Sequence, residues 1–116
     1  MAAWTIESIT IDPDKTLYAW AVFSVPFDGP RRPWTRHLIG FASETGNGQV
    51  SSPVLAFDPV TRRARTQSGR VYCLAGDPGG NSDAIYMWSV FKDRHHLTEE
   101  RNVTEEVYAA FCGCVR

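Results

Sequence analysis

Apolar residues alternate with other residues over much of the first half of the chain, a pattern that predicts β-strands. Over residues 17–25 both sets of alternating positions are largely apolar, which predicts a central strand covered on both faces. Shorter runs at residues 4–11, 37–42 and 50–57 predict further strands, which end at turn sequences rich in Pro, Gly, Asn or Asp. Pro53 interrupts the last run. Because proline cannot donate to a strand ladder, it indicates an edge position or a bulge.

A β-hairpin is predicted to turn at Ser68-Gly69, since glycine tolerates the positive φ that tight hairpins require. The run before the turn, residues 61–66, is polar and arginine-rich, so we expect an exposed strand suited to a sheet edge. The run after it, residues 71–75, alternates as a buried strand. It leads into a glycine-rich segment, residues 76–81, that ends the β pattern.

Helical spacing begins after this segment. We expect a helix over residues 83–96, with Ser82 or Asp83 as its N-cap. The apolar residues at this spacing are Ala84, Ile85, Trp88 and Phe91. A weaker helical pattern covers residues 103–111, where Asn102 could act as the cap, but its β-branched start leaves a terminal strand open.

This order of elements, strands first and helices last, predicts the fold class. We expect a single α+β domain over residues 1–116, with an antiparallel sheet of about five to six strands and one or two C-terminal helices packed on one face. Trp20 and Trp88 stand on periodic stretches and are predicted to lie in the core.

The bulk composition limits the classes of protein. At 116 residues with 43% hydrophobic and 22% charged residues, the sequence is typical of a globular domain. It has no apolar run long enough to span a membrane, and its first residues lack a signal-peptide pattern. Three cysteines in such a chain favour free thiols over disulfides. We therefore expect a cytoplasmic protein.

Charge is distributed unevenly, although the net charge is only −1. Residues 31–70 carry seven Arg against two acidic residues, whereas the segments on either side are acidic. The arginine-rich strand and the Trp34 loop are the predicted partner-binding surface. Its candidate residues are Arg31, Arg32, Trp34, Arg36, Arg62, Arg63, Arg65 and Arg70.

Three interpretations of this basic region are open. An acidic protein surface could bind it, since Trp and Arg dominate interface hot spots. Single-stranded nucleic acid could bind it through phosphate contacts and base stacking. Alternatively, the charges only keep an edge strand from aggregating.

Catalytic and metal-binding chemistry is less well supported by the sequence. Candidate nucleophiles are Ser68, Cys73 and Cys112, and candidate bases are His37, His95 and His96, but no known catalytic motif connects them. A zinc site would draw on His95, His96, Cys112 and Cys114, whose spacing is poor. The glycine-rich segment could cradle a phosphate, but it lacks a P-loop ending and carries acidic residues. We expect no catalytic residue, no metal and no cofactor.

The run TQSGRVYCLAGDPG at residues 66–79, followed by DAIYMW at residues 83–88, carries a resemblance. Together with HLIG at residues 37–40 and SSP at residues 51–53, it resembles short uncharacterised proteins of proteobacterial phages, plasmids and integrative elements. The resemblance covers residues 36–104 and implies a mobile-element context. Small non-enzymatic proteins in that setting bind and block host defence complexes, as anti-CRISPR proteins do. It assigns a role to no residue.

Taken together, these observations predict a non-enzymatic interaction protein of a phage or mobile element, of the anti-CRISPR type. The expected partner is a host protein or nucleoprotein complex; no membrane is expected, and a homo-oligomer stays open. The first alternative is a nucleic-acid-binding accessory or regulatory protein that uses the arginine-rich strand. The second is a small enzyme or zinc protein.

Overall fold

The computed structural model describes residues 4–113, apart from the side chain of Cys112. The strands are β1 (Thr5–Ile6), β2 (Lys15–Val25), β3 (Thr35–Ala42), β4 (Asn47–Val50), β5 (Val54–Asp58), β6 (Arg63–Thr66), β7 (Val71–Leu74) and β8 (Arg101–Asn102). The helices are α1 (Ser82–Arg94) and α2 (Thr104–Gly113). Within the described part of the chain, neither helix has the length and apolarity needed to cross a membrane.

The strands form one mixed sheet in the order β1-β5-β6-β7-β2-β3-β4, and β8 pairs with β2. The β1–β5 and β2–β7 pairs are parallel and the others are antiparallel. The α+β class is confirmed, but the expectation of a purely antiparallel sheet of five to six strands is wrong. Turn sequences predict only hairpins between neighbouring strands, and both parallel pairs join strands that are distant in the sequence.

The central position predicted for residues 17–25 is confirmed. Strand β2 pairs with β3 along one side and with β7 and β8 along the other. Its register shifts between Tyr18 and Ala21, and Ala19 there has φ 49°. This β-bulge inserts one residue, so the simple alternation breaks and Leu17 shares a face with Trp20 instead of with Ala21.

The two helices cover opposite faces of the sheet, which corrects the prediction that they share one face. On one face α2 packs through Val107 and Phe111 in a cluster that includes Val22 and Leu38. On the other face α1 packs in a second cluster, whose strand residues include the sequence neighbours of Val22 and Leu38. That second cluster contains Ala21, Val25, Ile39, Ala84 and Trp88. Because successive strand residues point to opposite faces, the two clusters lie on opposite sides of the sheet.

Two strands lie in other positions than the sequence pattern indicates. The run at residues 50–57 divides near Pro53 into β4 and β5, and β4 lies at one end of the sheet. The arginine-rich strand β6 is not an edge strand, because it pairs with both β5 and β7. Ala64 and Thr66 in β6 are buried, and this explains how so basic a strand can lie inside the sheet.

The predicted hairpin turn is confirmed. Gly69 has φ 92°, and the amide of Thr66 donates to the carbonyl of Arg70 across the turn. Of the segment 103–111, residues 104–111 belong to helix α2, so its helical alternative is confirmed over a strand.

Helix α1 begins close to where the spacing predicts, but Asn81, not Ser82 or Asp83, is its N-cap. The Asn81 side chain accepts a hydrogen bond from the amide of Ala84 at 3.0 Å. Ile85, which the pattern assigned to the core stripe, is exposed.

Candidate functional site

The arginines of β6 bind other parts of their own chain. Arg63 Nη1 donates to the carbonyl of Ile11 at 2.8 Å, and Arg65 Nη2 lies 2.9 Å from Glu7 Oε1. The polypeptide between Glu7 and Ile11 is thereby held across β6. These two guanidinium groups therefore fasten the N-terminal segment to the sheet.

Arg62 lies on the opposite face of the sheet from Arg63 and Arg65. With φ 60°, it directs its side chain to the α2 side, where its guanidinium carbon lies 4.7 Å from the Phe111 ring centroid. Its Nη1 also donates to the carbonyl of Gly76 at 3.0 Å. The arginines around β6 thus do not form one continuous basic surface.

Trp34 and Arg36 come together with a residue that the sequence reasoning did not select, Arg101. The Arg101 guanidinium carbon lies 5.6 Å from the Trp34 ring centroid. Ser24 of β2 is the register partner of both Arg36 and Arg101, which places these two side chains on the same face. They are two strands apart, or about 10 Å.

Arg36 itself is held between two other side chains. Its guanidinium carbon lies 4.6 Å from the Trp4 ring centroid, and its Nη2 lies 3.4 Å from Glu106 Oε2 on α2. Such an ion pair at the surface contributes little stability alone, but here it fixes the direction of the arginine. Trp34 is half-buried while Arg101 is exposed.

The loop before β3 adds two further charges. Arg31 and Arg32 are exposed, and no hydrogen bond or ion pair joins their side chains to the described part of the chain. We refer to Arg31, Arg32, Trp34, Arg36 and Arg101 together as the Trp34 face. Arg70, the last predicted residue, lies at the β6–β7 turn near the start of β2, whereas the Trp34 face lies near the end of that strand.

His37, a candidate base, is fully buried and hydrogen-bonded on both ring nitrogens. Nδ1 lies 2.9 Å from the carbonyl oxygen of Ser51, to which it donates, so Nε2 accepts from the Thr35 hydroxyl at 2.7 Å. Burial, with a smaller effect of the nearby His95, lowers the pKa of His37 to about 4 against the raising effects of the Ser51 hydrogen bond and Asp28. The ring is therefore a neutral core group.

The other candidates for chemistry are dispersed. Cys73 lies on β7, where burial raises the pKa of its thiol and disfavours the reactive thiolate. Ser68 lies in the exposed hairpin turn, and its hydroxyl is 3.1 Å from that of Thr66. His95 and His96 follow α1. Among the residues that the structure describes, no three potential metal ligands lie together; the Cys112 side chain and Cys114 are outside that set.

The glycine-rich segment is tied to β2. The Trp20 indole donates to the carbonyl of Gly76 at 3.2 Å, and the amide of Gly79 donates to the carbonyl of Trp20 at 3.0 Å. Tyr108 on α2 donates to Asp77 at 2.7 Å. These contacts give the segment a structural role in joining β7 to α1.

A cleft of about 590 Å³ opens between α1 and strand β4 at the end of the sheet. Its walls are mostly apolar, with Met87, Val90 and Phe91 on the helix, and it carries charge at Asp83 and Arg94. The sequence reasoning missed this cleft, because the helix residues that line it alternate with core residues. A usable signal was the stripe of Tyr86, Met87 and Val90, which lies beside the predicted core positions.

The chain was compared with protein families, curated proteins and solved structures. No family model, no curated protein and no solved structure matches the chain.

Proposed function

We propose that this protein is a non-enzymatic interaction protein, which binds an acidic protein surface through the Trp34 face. The observation that carries the proposal is the Arg101–Trp34 stack beside the Arg36–Trp4 pair. Trp and Arg are the residues that dominate binding energy at protein interfaces. Arg101 lies on β8 and Trp34 directly precedes β3, so the backbone of both partners of the stack is held in place before binding and little backbone entropy is lost.

Charge supports an acidic partner. Arg31, Arg32 and Arg101 are exposed, and none of them forms an ion pair with a residue that the structure describes. Arg36 is already paired with Glu106, so in this proposal it holds its neighbours in position and contributes less than the unpaired arginines to attracting an acidic partner. Complementary charge mainly speeds encounter and selects the partner.

The proposal is narrower than the surface expected from the sequence. Arg62, Arg63 and Arg65 already hold contacts within the fold, so replacing them would disturb the structure as well as any binding. Trp34 and Arg101 are better test positions, because Arg101 is exposed and Trp34 is only half-buried. Arg70 gives a matched control, since it is an exposed arginine at the other end of β2.

The experiment is quantitative affinity capture from a proteobacterial host extract. Trp34→Ala and Arg101→Glu are expected to reduce capture of a specific partner at least tenfold, which corresponds to a loss of about 1.4 kcal/mol or more. Arg70→Glu is expected to capture the same partner as the unchanged protein. Equal capture by all four proteins would remove the Trp34 face as the binding surface.

The finer proposal concerns the partner and comes from the resemblance to mobile-element proteins. We propose that the acidic partner belongs to a host defence complex and that binding blocks it, as anti-CRISPR proteins do. The test is a plasmid-interference assay in a host with an active CRISPR system. Expression of the protein is expected to restore plasmid survival, and Trp34→Ala is expected to abolish that effect. Unchanged interference in every tested system type would count against this finer proposal.

Nucleic acid is the second candidate partner, because an arginine beside a half-buried indole also suits stacked bases. This function predicts binding of a labelled single-stranded oligonucleotide that weakens steeply as salt rises and is lost in Trp34→Ala. The measurement is fluorescence anisotropy at low and moderate salt. No binding at low salt would exclude it.

A further inference from the structure

The side chains of α1 beside the cleft between α1 and β4 are complementary to the same side chains on a second copy of the chain. One stripe of α1 overlooks the open end of the sheet, about 120° around the helix from the core residues Ala84 and Trp88. The stripe consists of Asp83, Tyr86, Met87, Val90 and Arg94. We propose that a second copy of this chain occupies the cleft and forms a two-fold symmetric dimer through antiparallel α1 helices.

Charge is placed at the two ends of this stripe with opposite sign. Asp83 lies in the first turn of α1 and Arg94 in the last, about 16 Å apart along the helix. Both side chains are exposed, and neither forms an ion pair with a residue in the described part of the chain. A two-fold axis that passes through the middle of α1 brings Asp83 of one copy to Arg94 of the other, twice per dimer.

The same two-fold axis also pairs apolar residues that lie between these charges. An axis at the midpoint of Asp83 and Arg94 also pairs Met87 with Val90 of the second copy, because both pairs have the same centre in the sequence. Tyr86 and Met87 are 66% and 43% exposed and adjoin the cleft, and contiguous exposed apolar surface of this kind marks interaction sites.

Strand β4 leaves room for the approach. It is the last strand of the sheet and, among the described strands, pairs with β3 alone, so the cleft is accessible from the side of the molecule. Helix α1 lies directly over β4, since a Cβ atom on Gly48 would meet the backbone of Ala84 at 2.4 Å. Because α1 and β4 lie together at this open end of the sheet, two copies can bring their α1 helices to packing distance, about 8–10 Å. Their β4 edges then lie side by side.

The first test is the molar mass in solution, measured by light scattering on a size-exclusion column. At about 100 µM the unchanged protein is expected to have twice the mass of its 13.0 kDa chain. Asp83→Arg and Arg94→Asp are each expected to weaken association at least tenfold, because each places like charges together at both contacts. Asp93→Arg and Arg70→Asp make the same charge changes at exposed positions outside the cleft and are expected to leave the mass unchanged.

The decisive measurement mixes the two cleft variants. In a dimer of Asp83→Arg with Arg94→Asp, both end contacts pair opposite charges, so the equimolar mixture is expected to recover the dimer mass. Damage to the helix in either variant cannot produce this recovery, and circular dichroism of each variant alone reports its folding. A monomeric mass for the unchanged protein, or a mixture that stays monomeric, would overturn the proposal. The first of these results is also what an unrelated peptide occupant of the cleft would give.

Discussion

At the residue scale, His37 is a polar group that the fold buries completely and satisfies within the chain. Its two hydrogen bonds, to Ser51 and Thr35, replace the water that it loses. Phe27, Trp88 and Phe91 surround the ring with centroid distances of 5.1 to 5.8 Å. Burial disfavours the charged form of this ring, so the stability of the fold is expected to respond to acid.

The pH dependence of stability follows from the lowered pKa of His37. An unfolded histidine titrates near pH 6.5, whereas the folded pKa is about 4, so the unfolded chain binds more protons between these values. Neutral His37 therefore makes its full contribution to the free energy of unfolding above pH 6.5. As the pH is lowered, the free energy of unfolding decreases, by about 3 kcal/mol near pH 4. Urea unfolding between these pH values is expected to show this slope.

A substitution tests whether His37 is the source of the slope. His37→Phe is expected to lose about 1–3 kcal/mol at neutral pH, because the Ser51 carbonyl and the Thr35 hydroxyl lose their partner. Its stability is also expected to be nearly flat between pH 4.5 and 6.5. His96→Asn, at an exposed histidine, is expected to keep the original slope. An unchanged slope in His37→Phe would show that another group titrates.

At the scale of elements, the contact between α1 and β4 depends on one missing side chain. Gly48 is buried beneath the start of α1, where an added Cβ would lie 2.4 Å from the Ala84 nitrogen and 2.5 Å from the Asp83 carbonyl carbon. These are backbone atoms, so the helix as a whole would have to move. This glycine therefore sets how closely the helix approaches the sheet and, with it, the shape of the cleft.

Gly48→Ala is expected to destabilise the fold by about 1–3 kcal/mol through overpacking. Gly80→Ala is the matched control, because its added Cβ would meet only the end of the Ile85 side chain, at 3.4 Å. The measurement is the free energy of unfolding of each variant in urea. Equal stability of the two variants would contradict the close packing of α1 on β4.

Elements with local signals were predictable from the sequence. The hairpin at Gly69, the strand of residues 37–42 and the helix that carries Trp88 depend on turn chemistry or spacing within about fifteen residues. The bulge at Ala19 was not predictable, because an alanine with φ 49° has no sequence signature. The parallel pairing of β2 with β7 likewise depends on packing between distant segments.

The candidate site divides in the same way. Trp34 and Arg36 were predicted from a local run of aromatic and basic residues. Arg101 was missed, because only the pairing of β8 with β2 brings it to Trp34. Conversely, Arg63 and Arg65 were predicted as surface residues, although their partners in residues 7–11 could be identified only from the fold.

At the scale of the whole molecule, the charge pattern of the sequence does not become a single basic side. The sheet separates Arg62 from Arg63 and Arg65, and the length of β2 separates Arg70 from the Trp34 face. The radius of gyration is only 13.2 Å, so these separate basic positions are still close to one another in space. Trp34, Arg36 and Arg101 of the Trp34 face lie on the α2 side of the sheet, opposite the α1 cleft. A dimer formed through the cleft would leave both Trp34 faces open to partners.

Hydroxyl-radical footprinting of the captured complex tests most directly whether a partner covers the Trp34 face. Trp34 oxidation in the complex is expected to fall several-fold below that of the free protein, while the oxidation of Tyr18, which is 46% exposed, stays the same. This result would place the partner on the Trp34 face. Unchanged Trp34 oxidation, with protection elsewhere on the molecule, would contradict the account.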